Sequence, residues 1–166
     1  MIIFKIADDL LISIRADLAR PHSYAAERVG FLSVRQVRLG AIILLLATAY
    51  YPVPDEQYID DPYSGARINS EAIRGAMQLA LDTGEGIFHI HPHLGSNTPR
   101  FSSMDRRETP PIIKSLQVVS PESTHGMIVI NNKKLSGLVQ TPNEDTLIPI
   151  NKTVVVGFPT KIINEK

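Results

Sequence analysis

The alternation of apolar and polar positions near the start of the chain predicts a short strand followed by an amphipathic helix. MIIFKI, at residues 1–6, has the apolar character of a strand. Asp8 or Asp9 is a candidate cap for the helix, and Pro21 marks its end. Apolar side chains recur at helical spacing between these limits, at Leu10, Leu11, Ile14 and Leu18.

The next hydrophobic segments predict strands and then a loop. GFLSV and VRLG, at residues 30–34 and 37–40, indicate one strand or a bent pair. The continuous apolar run AIILLLATAYYPV, at residues 41–53, favours a buried central strand. Residues 52–65 carry three prolines and many acidic or amide side chains, which is typical of a surface loop.

A second helix is predicted at residues 70–83, with Asn69 or Ser70 as its cap and Gly84 and Gly86 after its end. We expect it to bury one face, made of Ile73, Met77, Ala80 and Leu81. The strand IFHIH follows at residues 87–91.

The last part of the chain is predicted to be mostly β-structure. A polar segment cut by Pro110 and Pro111 precedes four candidate strands, and Asn131 and Asn132 mark a turn between the second and the third of them. The candidates are LQVVS (116–120), GMIVIN (126–131), LSGLVQ (135–140) and VVVGF (154–158). The whole pattern predicts one α+β or three-layer α/β/α domain over residues 1–166, with a mixed central sheet flanked by helices.

Composition narrows the class of protein. The chain has 166 residues and no cysteine, which removes thiol nucleophiles, disulfide scaffolds and cysteine zinc sites. Its 17 basic and 17 acidic side chains are balanced, so a nucleic-acid partner is not expected. The longest apolar run is far shorter than the roughly 20 residues of a membrane span, and no signal peptide is recognisable. We therefore expect a cytoplasmic protein with neither a nucleic-acid nor a membrane partner.

Three of the five histidines fall within the string HIHPH at residues 89–93. Residues two apart on a strand face the same side at about 6.5–7 Å, so His89 and His91 can reach the same Zn²⁺. Proline cannot donate to a β-ladder, so Pro92 is expected to end the strand and turn His93 away. The remaining two, His22 and His125, are expected to be exposed or structural.

A third oxygen ligand and a base complete the candidate site. Ser102 and Asp105 follow the histidines at the spacing of a first helical turn, where Asp105 can supply the missing ligand. The same pair also fits an ordinary capping box, with no role in chemistry. Glu27 borders an apolar strand, an environment in which a carboxylate needs a reason to be present.

Taken together, Glu27, His89-Ile90-His91-Pro92 and Ser102-Ser103-Met104-Asp105 make the chain resemble the JAMM/MPN+ (JAB domain) zinc metalloproteases, over roughly residues 2–140. That family combines an upstream Glu with His-x-His-Pro and Ser-x-x-Asp, on a cytidine-deaminase-like fold with later strands such as LQVVSP and GMIVIN.

The resemblance implies a role for each residue. His89, His91 and Asp105 would bind one Zn²⁺, with water as the fourth ligand. Glu27 would be the general base, and Ser102 would donate to the oxyanion. The implied substrate is the C-terminal tail of a ubiquitin-like or sulfur-carrier protein, and the implied partners are E1/E2-like conjugation proteins.

One departure and two alternatives accompany the resemblance. Ten residues separate His91 from Ser102, where the family more often has about seven, so we expect a longer loop within HLGSNTPR; the segment cut by Pro110 and Pro111 also looks abbreviated. A non-catalytic MPN-type interaction scaffold is the first alternative. The second is a histidine-triad nucleotide hydrolase, in which Pro92 would break the required strand.

Overall fold

The computed structural model describes residues 1–95, 97–142, 144–157 and 161–164. Within them, nine strands join one mixed sheet in the order β7-β6-β5-β4-β2-β3-β1-β8-β9. The strands are β1 (Ile2–Ala7), β2 (Gly30–Leu39), β3 (Ile42–Pro52), β4 (Gly86–Pro92), β5 (His125–Ile130), β6 (Leu135–Gln140), β7 (Ile148–Pro149), β8 (Lys152–Val156) and β9 (Lys161–Asn164).

Three helices cover the two faces of this sheet. The helices are α1 (Asp8–Leu18), α2 (Ser70–Thr83) and α3 (Ser103–Val119), and a 3-10 turn is present at Asp55–Gln57. The cluster that contains the buried residues of α1 also contains Phe88 and Ile90 of β4. The cluster that contains α2 and α3 includes Ile87 of the same strand. Because successive strand residues face opposite sides, α1 covers one face of the sheet, and α2 and α3 cover the other.

The directions of the central strands place the site at one end of the sheet. β4 runs parallel to β5 and antiparallel to β2. The end of β4 therefore lies beside the beginning of β2, with Gly30 opposite Ile90. The predicted α+β class with a mixed central sheet is confirmed.

The predicted strand LQVVS is wrong, because residues 116–119 form the last turn of α3. The helix continues through Pro110 and Pro111, although each proline removes a backbone hydrogen bond. Ile113 and Leu116 are fully buried against the sheet while Val118 is exposed, which is a helical and not a strand pattern of burial. Burial of the apolar stripe therefore outweighs the cost of the two prolines.

The α2 helix has its predicted limits, but a different buried face. Asn69 caps it by accepting hydrogen bonds from the backbone N–H groups of Glu71 and Ala72. The fully buried stripe is Ala72, Ala76 and Ala80, whereas Leu81 is exposed and Ile73 and Met77 are half-buried. Small side chains four residues apart let the helix axis approach the sheet closely.

Other predicted elements are refined by the structure. GFLSV and VRLG belong to one strand, β2, with a bulge between Ser33 and Val34. β3 is central in the sheet but exposes Leu46, so it is buried mainly on its α1 side. The α1 helix begins after Ala7 without a side-chain cap, and Asp8 and Asp9 lie in its first turn.

The strand predictions for GMIVIN and LSGLVQ are confirmed as β5 and β6, with the chain reversing between them at residues 131–134. VVVGF overlaps β8, and its last residue, Phe158, lies outside the described residues. Among the described residues, no helix has both the length and the apolar character needed to cross a membrane.

Candidate metal centre

All five predicted site residues line a single cavity of about 850 Å³ on the α2/α3 side of the sheet. β4 contributes the histidines, the N-terminus of α3 contributes Ser102 and Asp105, and the segment before β2 contributes Glu27. The lining is formed by Glu27, His89, His91, Ser102 and Asp105, together with His93.

Close polar contacts in the cavity join two imidazoles and one carboxylate. Nε2 of His91 lies 3.1 Å from Oδ1 of Asp105, and Nε2 of His93 lies 3.3 Å from Oδ2 of Asp105. The two Nε2 atoms are 3.2 Å apart. Three side chains thus turn their nitrogen and oxygen atoms toward one point.

The expectation that Pro92 would turn His93 away was wrong. Pro92 is the last residue of β4 and pairs with Ile130, and the backbone N–H of His93 donates to the carbonyl of Ile130 at 2.8 Å. The chain therefore keeps a strand-like bond to β5 one residue past the proline. Because residues two apart share a face, His93 stays on the same side as His89 and His91.

His89 packs between two other rings of the site wall. Its ring centroid is 5.2 Å from that of His91 and 5.8 Å from that of Phe31. Nδ1 is buried and has no hydrogen-bond partner among the described residues. Burial, reinforced by His91, lowers the pKa of His89 to about 3, so the ring is neutral near pH 7 and keeps a lone pair for a metal.

Asp105 is held in its ionised form. Burial alone would raise the pKa of this carboxyl, but hydrogen bonds from His91 and from the backbone N–H of Ser102 outweigh it and hold the pKa well below the usual range. The Ser102 N–H donates to Oδ2 of Asp105 at 2.6 Å, and the Asp105 N–H donates to Oγ of Ser102 at 3.1 Å. The pair forms a complete capping box at the start of α3.

Glu27 faces the same cluster from the segment before β2. A carboxylate oxygen of Glu27 and one ring nitrogen from each of His91 and His93 all lie within 4.8 Å of one another. Burial raises the pKa of Glu27, while the two histidines partly oppose that shift. A carboxylate with a raised pKa is suited to accept a proton near neutral pH.

The donor set fits a divalent cation such as Zn²⁺. Donor atoms on a tetrahedral Zn²⁺ with bonds of about 2.05 Å lie about 3.3 Å from one another. The Nε2 atoms of His91 and His93 are 3.2 Å apart, and they lie 3.1 and 3.3 Å from Oδ1 and Oδ2 of Asp105 respectively. Imidazole nitrogen and carboxylate oxygen are also the ligands that zinc takes in a chain without cysteine.

The two histidines outside the string have structural surroundings, as expected. His125 is fully buried, with Nδ1 accepting from the backbone N–H of Ile87 at 3.1 Å and Nε2 2.9 Å from the carbonyl of Ser120. His22 accepts backbone N–H bonds from Tyr24 and Ala25.

No known family model matches the chain, and no curated protein matches its sequence significantly. The resemblance to JAMM proteases therefore rests on the motif residues of the sequence.

We predict that replacing Ser102 weakens α3 in the metal-free protein. Ser102→Ala removes the cap and should lower the free energy of unfolding by about 1 kcal/mol, whereas Ser102→Gly should cost only a few tenths of that. Urea unfolding followed by circular dichroism measures both. Ser103→Ala, one residue further on and also exposed, is the matched control and should have little effect. Equal losses from Ser102→Ala and Ser103→Ala would contradict the capping role.

Proposed function

We propose that the protein is a zinc-dependent peptidase or isopeptidase of JAMM type. It would hydrolyse the bond that follows the C-terminal tail of a ubiquitin-like or sulfur-carrier protein. The observation that supports this most strongly is the convergence of His91, Asp105 and Glu27 in one cavity, from three separate parts of the chain. A structural cluster has no need of a carboxylate with a raised pKa beside the ligands.

The ligands of the ion would be Asp105, His91 and one further imidazole from the same strand face. The sequence predicts His89 for that third position. When bound, Zn²⁺ supplies Lewis acidity that polarises a carbonyl and makes water more acidic.

Glu27 would act as the general base. Its carboxylate would take the proton from the attacking water and pass it to the departing amine. The raised pKa suits both transfers, because the protonated form then gives up its proton less readily to bulk water. Glu27 thereby serves as base in the first step and as acid in the second.

Ser102 can cap α3 and still assist the reaction. Its Oγ accepts the Asp105 N–H through a lone pair, so the hydroxyl hydrogen is free to donate. Directed at the developing oxyanion, such a donor is worth about 10²–10³-fold in rate. The two interpretations of Ser-x-x-Asp are therefore compatible.

The cavity walls support an extended, small-residue substrate segment. Val29, Ala66, Ile68 and Ile73 line one part of the cavity, and Met104 and Thr109 of α3 line another. Apolar walls with a polar end suit the flexible tail of a ubiquitin-like protein. Arg67 and Arg107 also line the cavity, and each is paired with an acid, Asp61 and Glu108 respectively.

The position of the Glu27 carboxylate depends on Gly65. The Glu27 N–H donates to the carbonyl of Gly65 at 2.9 Å. A Cβ added at Gly65 would lie 2.7 Å from Oε2 of Glu27 and 3.0 Å from its Cδ. The absence of a side chain at Gly65 therefore lets the carboxylate rest against the loop, facing the histidines.

The histidine-triad alternative loses one objection, because Pro92 does not remove His93 from the face shared by His89 and His91. Its substrate would carry a phosphate, however, and once the two arginine–carboxylate pairs of the lining are set aside, two further carboxylates, Glu27 and Asp105, line the same cavity. Fixed negative charges repel a phosphate and attract a cation. The charge of the cavity therefore favours the metal.

Hydrolysis itself tests the proposal. The zinc-loaded protein should cleave at least one of a panel of fusions that join the glycine-ended tail of a ubiquitin-like or sulfur-carrier protein to a reporter, and a chelator should abolish the cleavage. Glu27→Gln should lower the rate by about 10²–10⁴-fold because the proton acceptor is lost. Its zinc content should be unchanged. Full activity in this variant would refute the mechanism, and a zinc-loaded wild type inert toward the whole panel would favour the scaffold.

Gly65→Ala should displace the base without removing the metal. We expect kcat to fall at least about tenfold, since misplaced catalytic groups carry large rate penalties, while zinc content stays at the wild-type level. Gly75→Ala is the matched control, because a Cβ there meets nothing within 4 Å. In a Glu27→Gln background the Gly65→Ala change should have no further effect on rate. An equal loss with and without Glu27 would show that Gly65 acts by another route.

A further inference from the structure

His93, the third histidine of the HIHPH string, lies closer to Asp105 than His89, the first, does. Asp105 has two imidazole partners within 4.0 Å among the described residues, and these are His91 and His93. His89 contacts His91 through a ring centroid distance of 5.2 Å. The carboxylate that both sequence and structure place in the site is thus shared by the second and third histidines.

The distance between the two imidazole nitrogens matches the distance between two ligands of one zinc ion. Two ligand atoms on one tetrahedral zinc are separated by about 3.3 Å. The Nε2–Nε2 separation of His91 and His93 is 3.2 Å, and their distances to Asp105 are 3.1 and 3.3 Å. The two imidazole nitrogens are therefore at the spacing of two ligands of one zinc ion, and each of them faces its own oxygen of the Asp105 carboxylate.

The backbone fixes His93 in this position. Its N–H donates to the carbonyl of Ile130 at 2.8 Å, directly after the last residue of β4. Farther along the loop, the side-chain amide of Asn131 donates to the carbonyl of Asn97 at 2.7 Å, and Lys134 Nζ contacts Thr98 Oγ1 at 3.0 Å. The loop that begins at His93 is thus bonded to the end of β5 and to the β5–β6 turn.

The base lies beside the same two histidines. Glu27, His91 and His93 each offer a donor atom within 4.8 Å of the other two. A site built on His91 and His93 consequently has the proton acceptor as its immediate neighbour.

We propose that His93 is a ligand of the ion, together with His91 and Asp105, and that His89 supports His91 by ring packing without binding the ion. This inference rests on the proposed function for the presence of a metal, and it changes the identity of the third ligand. His89 then contributes packing against Phe31 and His91, at ring centroid distances of 5.8 and 5.2 Å.

Zinc affinity distinguishes the two assignments. The full chain is stripped with a chelator and titrated with Zn²⁺ against a chromophoric competitor, for wild type, His93→Ala and His89→Ala. We expect His93→Ala to raise the Kd for zinc more than about 100-fold, and His89→Ala to raise it by no more than about 100-fold, the usual upper effect of losing a supporting residue. The reverse order would overturn the inference.

The visible absorption of the Co²⁺-loaded protein provides a second readout that does not depend on catalysis. The spectrum should change in His93→Ala and stay close to that of wild type in His89→Gln, which keeps a polar side chain of similar reach if His89→Ala does not fold. An unchanged spectrum in His93→Ala would contradict His93 as a ligand.

The failure of this inference differs from the failure of the proposed function. Zinc that depends on His93 in a protein unable to cleave any fusion supports the ligand set and overturns the peptidase. Cleavage that survives His93→Ala with unchanged zinc affinity overturns the ligand set and supports the peptidase. A wild type that retains no zinc overturns both.

Discussion

The parallel pairing of β4 with β5 is the constraint on which the site depends. It aligns His89 with Met127 and His91 with Val129, and the His93 N–H extends the pairing past the end of the strand to Ile130. At the other end of β4, Nδ1 of the buried His125 accepts the N–H of Ile87. Because both ends of β4 are hydrogen-bonded, its orientation is fixed. His89, His91 and His93 therefore face the α3 side of the sheet in one row.

The helix that faces this row supplies the opposite charge. Asp105 lies in the first turn of α3, where the helix dipole and the Ser102 N–H stabilise a carboxylate. Ile113 and Leu116 bury the following turns against the sheet and hold the helix terminus close to β4. The contact between an ionised Asp105 and two imidazoles is thus a product of core packing as much as of local chemistry. Glu27 faces the same two imidazoles from the segment before β2, where Gly65 leaves room for its carboxylate.

The sequence predicted most of the fold because its signals were local and strong. Asn69 before α2 and the apolar segments GMIVIN and LSGLVQ had the expected outcomes. The strand prediction for LQVVS was wrong because Pro110 and Pro111 are unfavourable within a helix. The helix is stabilised by burial of Ile113 and Leu116, which local propensity cannot report. The role of Gly65 was invisible as well, since only the tertiary structure brings it against Glu27.

The candidate site was predictable in its membership and less so in its geometry. The predicted residues Glu27, His89, His91, Ser102 and Asp105 line one cavity. His93 was assigned elsewhere because a proline was expected to end the pairing, yet the following N–H restored it. Eight residues separate His93 from Ser102, against ten between His91 and Ser102. With His93 as the proposed ligand before the loop, most of the extra loop length inferred from the sequence is accounted for. The position of Ser96 in that loop lies outside the described residues.

We propose that the cluster around His91 and Asp105 binds a metal ion, and the zinc content of the reloaded protein is the direct test of this proposal. The protein is stripped with a chelator, reloaded with excess Zn²⁺, desalted and assayed by elemental analysis, with His91→Ala treated identically. His91 is the appropriate residue because it contacts Asp105 and belongs to both candidate ligand sets. We predict about one retained zinc per chain in wild type and little in the variant. Equal zinc in the two proteins, or none in either, would contradict it.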